Sequence, residues 1–177
     1  MNLILFGYRG CGKTTLGKKL AAQLWKDFAD VDQQVRKRFD NRSIADIWQT
    51  DGEPAFREAE AKVTAELVKR ENHVIALGGG TLMHPDANRA VKSAPDAKRI
   101  YLECAPKELD GRIHADSATT TARPNLTTAG AGGGGLDEIK QVLTERGPIY
   151  REVADHVFNV THTNPDEAAR FIVAKYL

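Results

Sequence analysis

Residues 7–14, GYRGCGKT, satisfy the pattern G-x-x-x-x-G-K-[ST] at every position, and the pattern has a mechanism. Glycines let successive backbone N–H groups wrap phosphate oxygens, and the start of a following helix adds the positive end of its dipole. A lysine then reaches the β- and γ-phosphates, and a hydroxyl ligates Mg²⁺. On this reading Gly10, Cys11, Gly12, Lys13, Thr14 and Thr15 hold the phosphates of a nucleotide, Lys13 stabilises charge during transfer, and Thr14 faces the metal. The bland alternative is a glycine-rich turn with an incidental lysine. The flanks argue against it: LILF at 3–6 is a short apolar run suited to a buried strand, and Leu16, Leu20, Ala21, Leu24 and Trp25 then recur at helical spacing.

Two further clusters carry chemistry. Asp30-Val31-Asp32 closes a strand expected over 28–31, and Gly78-Gly79-Gly80 follows one expected over 73–77. In a parallel sheet the carboxyl ends of all strands lie along one edge, where ligands bind. The P-loop, the two aspartates and the triple glycine therefore converge, and their types suggest phosphoryl transfer, in which positioning and charge stabilisation supply most of the catalysis. Asp30 would hold Mg²⁺ through water, Asp32 would bind the acceptor hydroxyl and take its proton, and bare glycine backbone would let a small ligand come close. Taken singly, the aspartates also fit a turn or helix cap. Arg57 also fits a solvated helix face, and Arg146, before Gly147-Pro148, the end of a helix where a cation suits the dipole. No Asn-Lys-x-Asp guanine reader appears and no central strand ends in acidic residues, so a regulatory GTPase or motor ATPase is disfavoured.

These groups must be positioned by alternating strands and helices. Besides the strands already given, 99–104 and 157–160 read as strands. Helices are expected after the P-loop, over a polar stretch to Phe39, from an N-cap at Ser43, from Pro54, over 85–92, and from Pro165 to the C-terminus. The fold class is α/β: a three-layer arrangement of a parallel sheet with helices on both faces. Residues 115–135 have almost no large apolar side chains and are expected to form a mobile insertion.

The chain has 177 residues, enough for one domain spanning 1–177. With 25 Lys+Arg against 24 Asp+Glu there is no basic field to hold nucleic acid or a membrane surface, so neither partner is expected. The two cysteines form no disulfide framework, and the N-terminus lacks the charged start of a signal peptide, so a reducing cytoplasm is the expected setting. Glycine is average in amount, 15 residues, but twelve fall in clusters at 7–17, 78–80 and 130–135.

The segments FADVD (28–32), RSIADIWQTDGEPAFRE (42–58), ALGGGT (76–81), ARPNL (122–126) and ERGPIYREVA (145–154) together resemble the shikimate kinases, small P-loop kinases of the nucleoside-monophosphate-kinase-like group. The resemblance implies a five-stranded parallel sheet in the order 2-3-1-4-5 with a mobile lid. It also implies ATP- and Mg²⁺-dependent phosphorylation of the 3-hydroxyl of shikimate, a step toward aromatic amino acids, by a monomer whose acceptor-binding segment lies at about 32–60 and whose lid lies at about 113–135. Carried over by residue, Asp32, Arg57 and Arg146 look like the shikimate-binding set, with Gly78, Gly79 and Gly80 beside them. Lys13, Thr14 and Asp30 look like the ATP and Mg²⁺ site, Arg123 like the lid arginine that meets the transferring phosphate, and Arg112, Asn164 and Pro165 like the adenine site. The chain departs from the family in its lid, with Asn125 in the usual Arg-Pro-Leu-Leu followed by a Thr/Ala/Gly stretch whose ordering is expected to weaken apparent affinity. Cys11 has two readings, a thiolate favoured by the helix start and Lys13, or a small residue that fits the loop. Two rivals stand beside the shikimate reading. Gluconate kinase is one, since gluconate also offers a carboxylate and hydroxyls; a nucleotide-hydrolysing switch is the other, which would leave Asp32 and Arg57 without purpose.

Overall fold

The computed structural model describes residues 1–115 and 135–177. Arg123, the glycines at 130 and 132–134, and most of the expected lid lie outside the described residues.

Strand β1 (Asn2–Phe6) is buried at every residue and pairs in parallel with β3 (His73–Ala76) on one side and β4 (Ala97–Glu103) on the other. Strands β2 (Asp27–Asp30) and β5 (His156–Asn159) complete a five-stranded parallel sheet in the order β2-β3-β1-β4-β5. This is the expected order, and it brings the ends of β1, β2 and β3 together. The continuous apolar run of β1 follows from its central place, since a strand covered on both faces has no side to spend on polar residues. Its side chains alternate between two cores: Leu3 and Leu5 join Val74, Ile100 and Leu102 on one face, Ile4 and Phe6 join Ile75, Leu77 and Tyr101 on the other.

Among the described residues eight α-helices cover the sheet: α1 (Lys13–Gln23), α2 (Val31–Arg38), α3 (Ile44–Thr50), α4 (Glu53–Leu67), α5 (Pro85–Lys92), α6 (Pro106–Ala115), α7 (Leu136–Val153) and α8 (Pro165–Tyr176). A short 3₁₀ turn, Thr81–Met83, follows the triple glycine. Ser43 caps α3 as expected, accepting from the Asp46 N–H at 3.1 Å.

Two expectations need correction. Trp25 does not extend the apolar stripe of α1. The helix ends at Gln23, Trp25 takes a left-handed φ of 55° with 91% of its surface exposed, and the Lys26 N–H returns to the Ala21 carbonyl at 2.9 Å. That is a Schellman-type stop with tryptophan at the position usually given to glycine, and periodicity alone does not reveal it. Arg146 does not sit at a helix end: α7 runs through Gly147-Pro148 to Val153. Proline in a helix interior costs about 3 kcal/mol, but Tyr150 and Val153 beyond it are buried in the core and hold the helix continuous. Helix α6 went unassigned because it buries only Leu109 and Ile113, a stripe too thin to stand out.

Candidate active site

Two cavities open where the carboxyl ends of β1, β2 and β3 meet. The wider is a groove over the P-loop. It is lined by Gly10, Cys11, Gly12, Lys13, Thr14 and Thr15, by Asp30 and Asp32, and on its far wall by Arg112, Asn164 and Pro165. The smaller is a pocket between α3, α4 and the triple glycine, lined by Asp32, Arg57, Gly79, Gly80 and Arg146 together with Tyr8, Arg9, Trp48, Phe56 and Glu60.

The groove is built by backbone geometry. Gly10 and Gly12 have φ of 80° and 92°, in a region that side chains rarely tolerate, and Gly12 is the residue from which α1 starts. The turn so formed wraps the Lys13 ammonium, which donates to the carbonyls of Gly7 and Tyr8, both at 2.9 Å, and lies 3.7 Å from the Cys11 sulfur. The lysine is therefore buried and oriented at the helix start, where anions are favoured. Cys11 is only 2% exposed and packs in the core with Leu102, Cys104 and Ile113, the surroundings of an inert thiol. On the far wall the Arg112 guanidinium donates to the carbonyls of Val160 (2.9 Å) and Thr161 (3.2 Å) and to Glu108 (3.0 Å), tying α6 to the turn before α8.

Thr14 and Asp30 form one unit. The Thr14 hydroxyl donates to Asp30 Oδ2 at 2.8 Å, while Asp30 Oδ1 accepts the Gln33 N–H at 3.2 Å and so caps α2. A hydroxyl and a carboxylate at the mouth of a phosphate loop fit Mg²⁺, which takes few protein oxygens and completes its shell with water and substrate phosphates.

The pocket is built around a buried charge. Glu60 is 1% exposed, accepts from Arg57 Nη1 at 2.8 Å and from the Thr81 hydroxyl at 2.6 Å, and lies near Asp32. Burial pushes its carboxyl above the ordinary range despite Arg57, and Asp32 adds to the rise. Arg57 lies over the rings of Trp48 and Phe56, 5.3 and 5.4 Å from their centres, so its plane is fixed on one side by aromatic faces and on the other by Glu60. Arg146 donates to the Gly79 carbonyl at 3.1 Å, and the Tyr150 hydroxyl donates to the same oxygen.

The triple glycine serves the protein as much as a ligand. A Cβ on Gly80 would stand 2.6 to 2.8 Å from the Arg57 guanidinium, and one on Gly78 would collide with Glu60 Oε1 and stand 2.7 Å from Asp32 Oδ1. Gly78 thus lies behind the pocket and gives clearance to the side chains that line it. Gly80→Ala is expected to raise the acceptor KM about tenfold by displacing Arg57, with the nucleotide KM unchanged. Equal rises in both, in steady-state kinetics, would contradict this.

All the groove and pocket residues expected from sequence fall at these cavities, apart from Gly78 behind the pocket and Arg123 outside the described residues. Those missed are instructive. Glu60 stands three residues after Arg57 on the same helix face, a spacing that could have flagged it. Trp48 and Phe56 read simply as core residues, and Arg9 occupies a free position of the P-loop pattern. Arg9 Nε and Trp48 Nε1 are buried on the wall of the pocket without hydrogen-bond partners among the described residues. Oxygen atoms of bound ligands can satisfy them.

The comparisons with known proteins agree with this geometry. A family model described as shikimate kinase matches residues 9–176. The chain is 38% identical to the shikimate kinase of Rhodopirellula baltica, covering 94% of this chain and 85% of that one, and 39% identical to that of Nitrosococcus oceani, covering 87% and 75%. Among solved structures it is similar to shikimate kinase from Acinetobacter baumannii in complex with shikimate, with a TM-score of 0.86 and 28% identity over 97% of this chain and 90% of that one. A gluconokinase from Sinorhizobium meliloti, with a TM-score of 0.53 and 16% identity over 98% of this chain and 89% of that one, shares the fold alone.

Proposed function

The chain belongs to the shikimate kinase family, and we propose that it transfers the γ-phosphoryl of ATP to the 3-hydroxyl of shikimate, giving shikimate 3-phosphate and ADP. The observation that carries this reading is that Asp32 lines both the P-loop groove and the arginine-bearing pocket. A hydroxyl held there can meet a phosphoryl group held by the P-loop.

ATP occupies the groove, with its phosphates on the P-loop backbone and Lys13, and its adenine between Arg112 and Pro165 beside Asn164. Thr14 and Asp30 would hold Mg²⁺, which would neutralise charge on the phosphates. Arg57 and Arg146 grip the shikimate carboxylate. Asp32 accepts from the acceptor hydroxyl and takes its proton as the oxygen bonds to phosphorus and the bond to ADP breaks. Arg123 supplies further positive charge to the transferring group. One chain supplies both cavities, so a monomer suffices for the reaction, and its two free, buried thiols suit the cytoplasm. Among the described residues no helix is long and apolar enough to cross a membrane.

Coupled ADP release should be seen with shikimate and not with gluconate or without acceptor. Turnover with gluconate alone would relocate the enzyme among its structural relatives, and turnover without acceptor would favour a hydrolytic switch.

A further inference from the structure

Among the described residues two line both cavities: Asp32 and Arg9. The bond between the transferring phosphorus and its new oxygen must form where the cavities join, so a residue shared between them stands beside the reacting group. Asp32 is accounted for as the partner of the acceptor hydroxyl. Arg9 is not. A shikimate carboxylate is already matched by Arg57 and Arg146, which leaves a third guanidinium on the acceptor pocket with no anion in the substrate to meet.

The state of Arg9 is unusual for a guanidinium. It is 7% exposed, its Nε makes no hydrogen bond among the described residues, and its ion pair to Glu138, in the first turn of α7, is long at 3.8 Å. It also lies against Tyr8, with the guanidinium carbon 6.0 Å from the ring centre and its charge bearing on the hydroxyl. A buried guanidinium ordinarily has its N–H groups filled, because an unpaired one carries its full desolvation cost. Its backbone is also fixed at the junction: the Arg9 nitrogen is 3.4 Å from where a Cβ on Gly79 would stand. An under-satisfied cation, mounted between donor and acceptor, matches a phosphoryl group that reaches the junction only during and after transfer.

We propose that Arg9 is a further catalytic residue, contacting the phosphoryl group as it passes to the acceptor and then the phosphate of the product. This rests on the kinase reading above. The transfer itself is unchanged: the acceptor oxygen bonds to phosphorus, the bond to the ADP oxygen breaks, and the hydroxyl proton goes to Asp32. Arg9 supplies charge to the equatorial oxygens, where it does most in the transition state and little in the substrate complex. Its effect should therefore fall on kcat and on product affinity, and spare the affinities of ADP and shikimate.

The test compares Arg9→Met, Arg9→Gln and Arg9→Lys with the unaltered protein. Steady-state kinetics are combined with calorimetric binding of ADP, shikimate and shikimate 3-phosphate, and with thermal unfolding. In Arg9→Gln and Arg9→Met kcat should fall about 100-fold, and the preference for shikimate 3-phosphate over shikimate should fall about tenfold. ADP and shikimate should still bind within about threefold of the original affinities. Arg9→Lys, which keeps the charge, should recover most of kcat. If Arg9 only braces α7 through Glu138, the unfolding midpoint will drop, all three ligands will weaken together and the product preference will hold, and the proposal fails. Unchanged kcat in a folded Arg9→Gln also overturns it. If the unaltered protein does not phosphorylate shikimate, the family reading fails first, and that result is separate from any effect of Arg9.

Discussion

Asp32→Asn should lower kcat with shikimate by about 10²- to 10⁴-fold while leaving the fold and ATP binding intact. Asp32 sits in the first turn of α2, where a negative charge favours the helix by about 0.3 to 1 kcal/mol. Losing that charge costs little stability, and the nearby buried Glu60 is relieved of a like charge that raises its pKa. The amide keeps the shape and can still hydrogen-bond the hydroxyl, but it cannot take the proton. The size of the fall therefore measures the demand for a base. A loose transition state places little negative demand on the attacking oxygen, in which case orientation carries most of the effect and the loss stays near the lower end. Equilibrium binding of ATP and shikimate to the variant separates the two contributions, because a residue that only orients would weaken shikimate binding along with turnover. Normal turnover would remove Asp32 from the mechanism.

How much of this was legible in the sequence depended on whether a feature was local. The P-loop, the Ser43 cap and the β1 run are local patterns whose physics acts over a few residues, and the structure places all of them as read. The sheet order came through the resemblance, not from the strands, because several right-handed arrangements of alternating elements satisfy the same periodicity. What periodicity missed was tertiary. Nothing around Trp25 announces that a left-handed residue ends α1, and nothing around Pro148 announces that core contacts of Tyr150 will carry α7 past it. The triple glycine was read as an opening for a ligand. Its clearance is taken up by Arg57, Glu60 and Asp32, which arrive from α4 and α2, about 20 to 50 residues earlier in the chain. Glu60 would pass in sequence for an ordinary solvated glutamate of an amphipathic helix; burial makes it the anchor of the acceptor pocket.

That anchor gives the second large effect. Arg57→Met should destabilise the protein by about 3 to 5 kcal/mol and raise the shikimate KM by at least about 30-fold. The stability loss comes from Glu60. Without the guanidinium 2.8 Å away, a carboxylate with 1% exposure keeps only Thr81 and the repulsion of Asp32. Burial, the leading influence, and Asp32 would then push its pKa further above the ordinary 4.5. A carboxyl whose folded pKa is raised binds its proton more tightly in the folded state, so its stabilising contribution is full below 4.5 and is lost as pH rises through the raised value. The variant should therefore come closest to normal stability below 4.5 and lose stability as pH rises from there through the raised value. Urea unfolding of Arg57→Met across that range, referenced to Arg57→Met/Glu60→Gln, isolates the Glu60 contribution because the double variant has no carboxyl to titrate. The double variant should recover most of the lost stability at neutral pH and none of the acceptor affinity. That outcome would separate the two duties of Arg57, neutralising Glu60 and holding the acceptor carboxylate. If the double variant is no more stable than the single one at neutral pH, Glu60 is not the source of the loss. If it regains shikimate affinity, the carboxylate is gripped elsewhere, and the assignment of Arg57 to the acceptor fails.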